Sequence, residues 1–305
     1  MDKRRKEREI YRRKKNGYYH LCTDGLKGRL LFNDAAEYAF GTLLLGLIGI
    51  KYNLKLYAYE LMPNHIHIIL SGKGENCLKA FDYLKRKLSA RLVRDGYPPL
   101  PRDYWFKLVE IENEKQMRHE MVYLLRNAPE KGLGTATGYL WGSGWLYHSG
   151  WSAEVLGGTL AADLSGRSLR KLLMGNEPVP PHWRIHPYLG LLPHSFIDTS
   201  LAHRLFPTPK DLQTALVKDY ENHFQTARRL GELAVFSKQE TDDIVSGLLQ
   251  TRFGGRPLRA LTPEEKGKLA ILLHLNYGLT SPQIAAAIFV KETTIRQLLL
   301  SKELN

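Results

Sequence analysis

The stretch from residue 56 to residue 70 reads as β-strand, in which successive side chains point to opposite faces. Pro63 interrupts this run, so residues 54–61 read as one strand and residues 65–70 as its resumption. In the second piece Ile66, Ile68 and Leu70 point to one face and His65 and His67 to the other. Upstream, residues 18–23 read as a strand, Gly25 and Gly28 bracket a turn, and residues 29–32 continue extended. Asn33 and Asp34 are good N-caps for a helix running to about Lys51. A second helix covers about residues 76–95, with Leu78, Phe81, Leu84, Leu88 and Leu92 at spacings of three and four. After a loop with Pro98, Pro99 and Pro101, residues 105–109 read as a strand. Residues 114–127 then form a helix stopped by Pro129 and Gly132. The order strand, helix, strand, strand, helix, strand, helix predicts an α+β domain: a ferredoxin-like antiparallel sheet with packed helices.

Residues 151–208 lose any sustained period. They are rich in Gly, Pro, Trp and His and read as an irregular connector with a short helix over 168–174. His182, His186 and His194 lie there at spacings too loose for a metal set. Residues 209–305 read as an all-α region. Its last part predicts three helices, over 263–277 (closed by Gly278), about 281–288 and about 291–300, with Ser281 as cap and Pro282 at the first position of the second. Ile284, Ala285, Val290, Thr294 and Ile295 sit where a helix-turn-helix keeps its core, so residues 263–301 resemble one, though Phe289 stands where glycine is usual. In that reading Thr293, Arg296 and Gln297 reach base edges in a major groove. A protein-binding three-helix bundle is the alternative.

Charge narrows the partner. The 305 residues carry a net charge of +13, and the isoelectric point is about 9.6. That favours a polyanion, nucleic acid first and an anionic membrane surface second. Residues 1–16 form a basic tail. The helix over 76–95 carries Lys85, Arg86 and Arg91 among six cations, which suit phosphate contact as well as a solvated face. No apolar run reaches the ~18 residues that span a bilayer. Gly41, Gly46 and Gly49 interrupt the longest one. The N-terminus lacks the pattern of a secretory signal. Cys22 and Cys77 match no zinc spacing and read as core residues of a reduced, cytoplasmic protein.

Two side-chain pairs carry candidate chemistry. His65 and His67, side by side on a rigid strand, make half a divalent-cation site, or else hydrogen-bond at a strand edge. Tyr123 and Asn127, four apart on a helix, share a face and could point at that cation, or else pack on the sheet and cap the helix. Glu60 lies across the Pro63 break and is not counted as a ligand.

Read together, these stretches match a family. Met62-Pro63-Asn64-His65-Ile66-His67 with its apolar tail resembles the MPNHxH strand of the single-tyrosine HUH transposases, and most closely the REP-associated tyrosine transposases. Tyr19-His20-Leu21-Cys22-Thr23 resembles the family's first strand, and Leu31-Phe32-Asn33-Asp34 its strand-to-helix junction. Tyr123-Leu124-Leu125-Arg126-Asn127-Ala128-Pro129 resembles its Y-x-x-x-N-P helix end, and Tyr139-Leu140-Trp141-Gly142-Ser143 a tryptophan–serine element that follows. The similarity covers residues 17–150. Ala128 separates Asn127 from the proline, and Asp24-Gly25 stands where an arginine–glycine pair is common.

The resemblance implies that Tyr123 is a nucleophile and that His65, His67 and Asn127 bind Mg²⁺ or Mn²⁺. It implies cleavage and strand transfer on single-stranded or hairpin DNA through a 5′-phosphotyrosine, with no nucleotide cofactor. A homodimer is compatible with it. The alternative is a non-catalytic DNA-binding regulator that keeps the fold.

Overall fold

The computed structural model describes residues 3–217 and 219–303. Met1, Asp2, Lys218, Leu304 and Asn305, which fall in the expected basic tail and helical region, lie outside the described residues. The chain divides into two compact units, Met1–Val217 and Lys218–Asn305.

The first unit opens with helix α1 (Lys3–Arg13). Most of the basic run is therefore helical. Tyr11 is its anchor: the ring is buried against Phe106, 5.2 Å away, and the hydroxyl accepts a hydrogen bond from the Leu108 amide. Then come β1 (Asn16–Thr23), α2 (Ala35–Lys51), β2 (Lys55–Met62), β3 (His65–Lys73), α3 (Gly74–Arg94), β4 (Phe106–Ile111) and α4 (Glu114–Glu130). The strands form one sheet in the order β2-β3-β1-β4, with every pair antiparallel. This is the βαββαβ path of a ferredoxin-like sheet. Two expectations change. Residues 29–32 add no strand; Leu31 and Phe32 instead donate their amides to the Pro63 carbonyl. Helix α4 runs past Asn127 and takes Pro129 into its last turn, where Leu133 donates back to the Ala128 carbonyl.

Helices α2 and α3 cover one face of the sheet. Phe81 of α3 stacks on Phe106 at 4.4 Å. Gly41 of α2 lies so close to Leu61 that a Cβ would come within 2.7 Å of its Cδ1. The glycines that interrupt the apolar run are thus where other elements approach. No described helix is long and apolar enough to cross a membrane. Gly46 faces the other way, toward Leu191 and Trp183; a Cβ there would lie 2.9 Å from the Trp183 ring. Helix α2 is therefore apolar all round because it is packed on two sides.

The region after α4 is more ordered than its composition predicts. Residues 141–143 lie along the outer edge of β2: Leu61 donates to the Trp141 carbonyl and Ser143 to the Tyr59 carbonyl. That closes an edge otherwise open to another strand. Helices α5 (Ala153–Leu156) and α6 (Gly166–Leu173) flank a small antiparallel sheet of β5 (Thr159–Leu160), β6 (Arg184–His186) and β7 (Gly190–Leu191). Trp183 carries this sheet onto α2 and is 1% exposed. His194 bonds the Trp151 carbonyl, and His186 accepts from the amides of Tyr188 and Leu189. Helices α7 (Ser200–Leu205) and α8 (Pro209–Leu216) end the unit.

The second unit holds α9 (Tyr220–Leu230), α10 (Lys238–Arg252), α11 (Pro263–Tyr277), α12 (Ser281–Ile288) and α13 (Glu292–Glu303). Ser237–Glu240 and Thr262–Glu265 form reciprocal capping boxes at the starts of α10 and α11. Thr280, and not Ser281, opens α12, giving its amide and hydroxyl protons to Gln283. Leu269, Leu273, Ile284, Ile288 and Ile295 form a core of their own. Phe289 ends α12 in the left-handed region at φ 53°, with its ring 83% exposed.

If the 183–191 segment is part of the first unit's core, Trp183→Ala should lower the unfolding free energy by about 3–5 kcal/mol. Denaturant titration measures this; a loss below about 1 kcal/mol would show that the segment packs only loosely.

Candidate active site

Pro63 and Asn64 form the tip of a hairpin in which Met62 opposes His65. The proline does not divide one strand; it turns the chain between two. Asn64 then has three tasks. Its carbonyl accepts from the Leu26 amide, its side-chain amide donates to the Leu26 carbonyl, and its Oδ1 lies 2.7 Å from His65 Nδ1. The turn thereby fixes the ring orientation of the residue that follows it.

Residues directly opposite in an antiparallel ladder share a face. His67 opposes Cys22 of β1 on one side and Glu60 of β2 on the other. His65 and His20, each two residues along its strand, belong to the same face. Helix α4 covers this face, opposite α2 and α3. Asn113 caps its start by accepting from the Gln116 amide. Glu120, Tyr123 and Asn127, at spacings of three and four, are all buried on its sheet-facing side.

These residues form one chain of contacts. Glu120 Oε2 is 2.8 Å from His20 Nδ1, His20 Nε2 is 3.0 Å from His67 Nδ1, and His67 Nε2 is 2.9 Å from His65 Nε2. Glu120, His20 and His67 are 0% exposed. The chemistry of the ends sets the protons in between. A carboxylate only accepts, so it takes the proton of His20 Nδ1. His20 Nε2 then accepts from His67 Nδ1, which directs His67 Nε2 toward His65. From the other end, Asn64 Oδ1 accepts from His65 Nδ1 and directs His65 Nε2 toward His67. The two Nε2 atoms converge. A histidine whose far nitrogen is held by an acceptor is the usual arrangement around a metal.

Tyr123 stands over this point, its ring 6.1 Å from that of His67 and 6.4 Å from that of His20. Asn127 Nδ2 donates to the carbonyls of Tyr123 and Leu124, so its Oδ1 is turned away from its own helix. The structure thus brings His65, His67, Tyr123 and Asn127 to one place. It adds three residues for which the sequence reading had no role: His20 and Glu120 in the chain, and Cys22, whose Sγ lies 4.0 Å from His67 Nε2. The signals for the first two were period-two spacing from Cys22 and the three-residue step from Glu120 to Tyr123.

Glu60 is also on this face and is 0% exposed. Burial pushes its carboxyl well above the ordinary carboxylate range; the Ala128 amide offsets this in part, and Glu130 adds to it.

The cations chosen from the sequence lie elsewhere. Lys85 gives its ammonium protons to the carbonyls of Arg102 and Tyr104, Arg86 stacks on Tyr83, and Arg91 pairs with Asp95. All three are on α3, beyond the opposite face of the sheet. Thr293, Arg296 and Gln297 belong to the second unit and are exposed on α13. Arg296 there pairs with Glu292.

No family model matches this chain, and no curated protein does. Among solved structures, a REP-associated tyrosine transposase bound to a REP hairpin is similar at 16% identity, with a TM-score of 0.37 over 46% of this chain and 88% of that one.

Replacing Glu120 by Leu leaves the buried His20 Nδ1–H without its acceptor. We expect a loss of about 1–3 kcal/mol of stability, and a smaller loss for Glu120→Gln, whose amide oxygen still accepts. Denaturant midpoints of the three proteins check this; equal midpoints would mean that the chain of contacts does not form.

Proposed function

We propose that this protein is a metal-dependent nuclease and strand transferase that uses Tyr123 to cut single-stranded DNA, most readily in hairpin form. One observation carries the reading: two histidine ring nitrogens converge within 2.9 Å beneath the ring of a helix tyrosine. Ligands at right angles on an octahedral ion with bonds of about 2.1 Å lie about 3.0 Å apart. The donor set therefore fits a cation of the Mg²⁺ or Mn²⁺ class, with Asn127 Oδ1 as a further oxygen donor. Of the two, Mn²⁺ accepts imidazole more readily. Bound there, the cation supplies positive charge that polarises a phosphate oxygen.

The chain's own residues do the rest. His20 and Glu120 hold His67 with its lone pair outward, and Asn64 does the same for His65. Helix α4 presents Tyr123 from the same side, so nucleophile and phosphate are held together and the step is intramolecular. The Tyr123 oxygen bonds to phosphorus as the bond from phosphorus to the 3′ oxygen breaks. The proton lost by the phenol is matched by the one gained by the 3′-hydroxyl. The product is a 5′-phosphotyrosine, which keeps the bond energy for joining a second strand without a nucleotide cofactor.

The net charge of +13 suits a DNA partner. In this reading α11 to α13 act as a helix-turn-helix, and Thr293, Arg296 and Gln297 on the exposed side of α13 reach base edges. That module selects the site which the first unit cuts.

The test is covalent trapping. Labelled single-stranded hairpins from the DNA flanking the gene are incubated with the full chain and Mn²⁺, then run on denaturing gels. The wild type should yield a protein–DNA adduct that Tyr123→Phe, His65→Ala and chelation each abolish. An adduct that survives Tyr123→Phe would remove Tyr123 as nucleophile. Tight hairpin binding with no adduct would favour the regulator.

A further inference from the structure

Two residues of the second unit are placed against their own preferences. Phe289, in the turn after α12, has φ 53° and ψ 53°, the left-handed conformation that glycine takes without strain. Its ring is 83% exposed, the highest exposure of any aromatic residue described. Gly267 lies inside α11, where glycine weakens a helix. Packing does not demand it: a Cβ there would meet Leu298 Cδ2 at an ordinary 3.6 Å. Both residues line the same groove, between α11 and the start of α13. The groove has a volume of about 690 Å³, and Ile271, Val290, Ile295 and Leu298 give it an apolar floor. Gly267 keeps that floor open, and Phe289 adds its exposed ring to the border. Pro263, Gly267 and Ile271 are spaced by four along α11, so its wall of the groove is straight and runs for about 12 Å.

We propose that this groove docks an acidic amphipathic helix of a partner protein, with apolar side chains on the floor and carboxylates on the rim. An apolar stripe of that length accepts the side chains that a helix presents at i, i+4 and i+7. Charge sets the sign of the partner. Lys266, Lys268 and Lys291 line the groove with one acid, Glu264, which is already paired with Lys268 at 3.4 Å. An acidic partner supplies the missing charge. A second copy of this chain would bring the same three lysines to one seam, so self-association is opposed. A nucleic-acid strand carries the right charge, but its bases need rings to stack on, and the floor is aliphatic. The groove also lies apart from the side of α13 on which Thr293 and Gln297 are exposed. Thr294 and Leu298, which line it, are each one residue and so about 100° further round the helix. A helix docked here leaves that side clear, and its docking depends neither on Tyr123 nor on a metal.

The probe is a fluorescein-labelled, stapled helical peptide with leucines at i, i+3, i+4 and i+7 and glutamates on its other faces. It is titrated with the full chain and read by fluorescence anisotropy. The wild type should bind it, more weakly as salt rises. The same peptide with lysine in place of glutamate should not bind at those concentrations. Phe289→Ser and the double variant Lys266→Glu/Lys291→Glu should each weaken binding at least tenfold. Gly267→Leu should do the same by filling the groove, and should melt no lower than the wild type, because leucine is the better helix former. Hairpin DNA should not displace the peptide. No binding of the acidic peptide, equal binding of the lysine peptide, or undiminished binding to Gly267→Leu would each overturn the proposal. Displacement by DNA would overturn it and give the groove to nucleic acid. A dimer in sedimentation that Phe289→Ser dissociates would overturn it and give the groove to a second copy.

Discussion

Hydrogen bonds have direction, and a chain of them inherits its direction from the groups at its ends. Here both ends are acceptors: the Glu120 carboxylate at one and Asn64 Oδ1 at the other. Three imidazoles lie between them. Each can donate from one nitrogen and accept at the other when neutral. In the proposed reading the donors point outward, and the Nε2 atoms of His65 and His67 meet at the centre, 2.9 Å apart. The proposed function puts the cation at that centre. The burial of Glu120, His20 and His67 strengthens the effect, because a low dielectric raises the worth of each satisfied bond and the cost of each broken one.

The fold exists around that chain in a simple sense. The sheet order puts β3 between β1 and β2, so His67 has a neighbour on each side, Cys22 and Glu60. Helices α2 and α3 take the apolar face, and α4 is left to close the polar one. The same helix carries Glu120, Tyr123 and Asn127. The residue that orients the histidines and the residue that stands over them are therefore fixed to each other by one turn of helix. A shift of α4 would disturb both together. The Pro63–Asn64 turn is the corresponding device on the strand side, joined to Leu26, Leu31 and Phe32 by main-chain bonds.

Much of this was legible in the sequence. Period two placed His65 and His67 on one face, helical spacing joined Tyr123 to Asn127, and the order of elements predicted the α+β sheet. His20 was not legible, because its role depends on Glu120, one hundred residues away on another element. Neither side chain is unusual in its own stretch. The place of Glu60 was hidden for a related reason: Pro63 looks like an interruption until the hairpin is known, and only the register sets Glu60 against His67. The stretch 151–208 failed differently. Its strands are two or three residues long, too short to display a period, and only Trp183 and Leu191, seated beside Gly46, reveal that they pack on α2. Helix α4 outran its proline because Pro129 falls in the last turn, where few later bonds are lost.

The central claim is that the protein itself directs two nitrogen lone pairs to one point. Proton–nitrogen correlation spectra of protein with isotopically labelled histidines read the protonated nitrogen of each ring directly. The account predicts that His65 and His67 in the metal-free protein carry their proton on Nδ1, and that only their Nε2 signals move when a diamagnetic divalent ion is added. A proton found on Nε2 of either ring, or spectra indifferent to the ion, would contradict it.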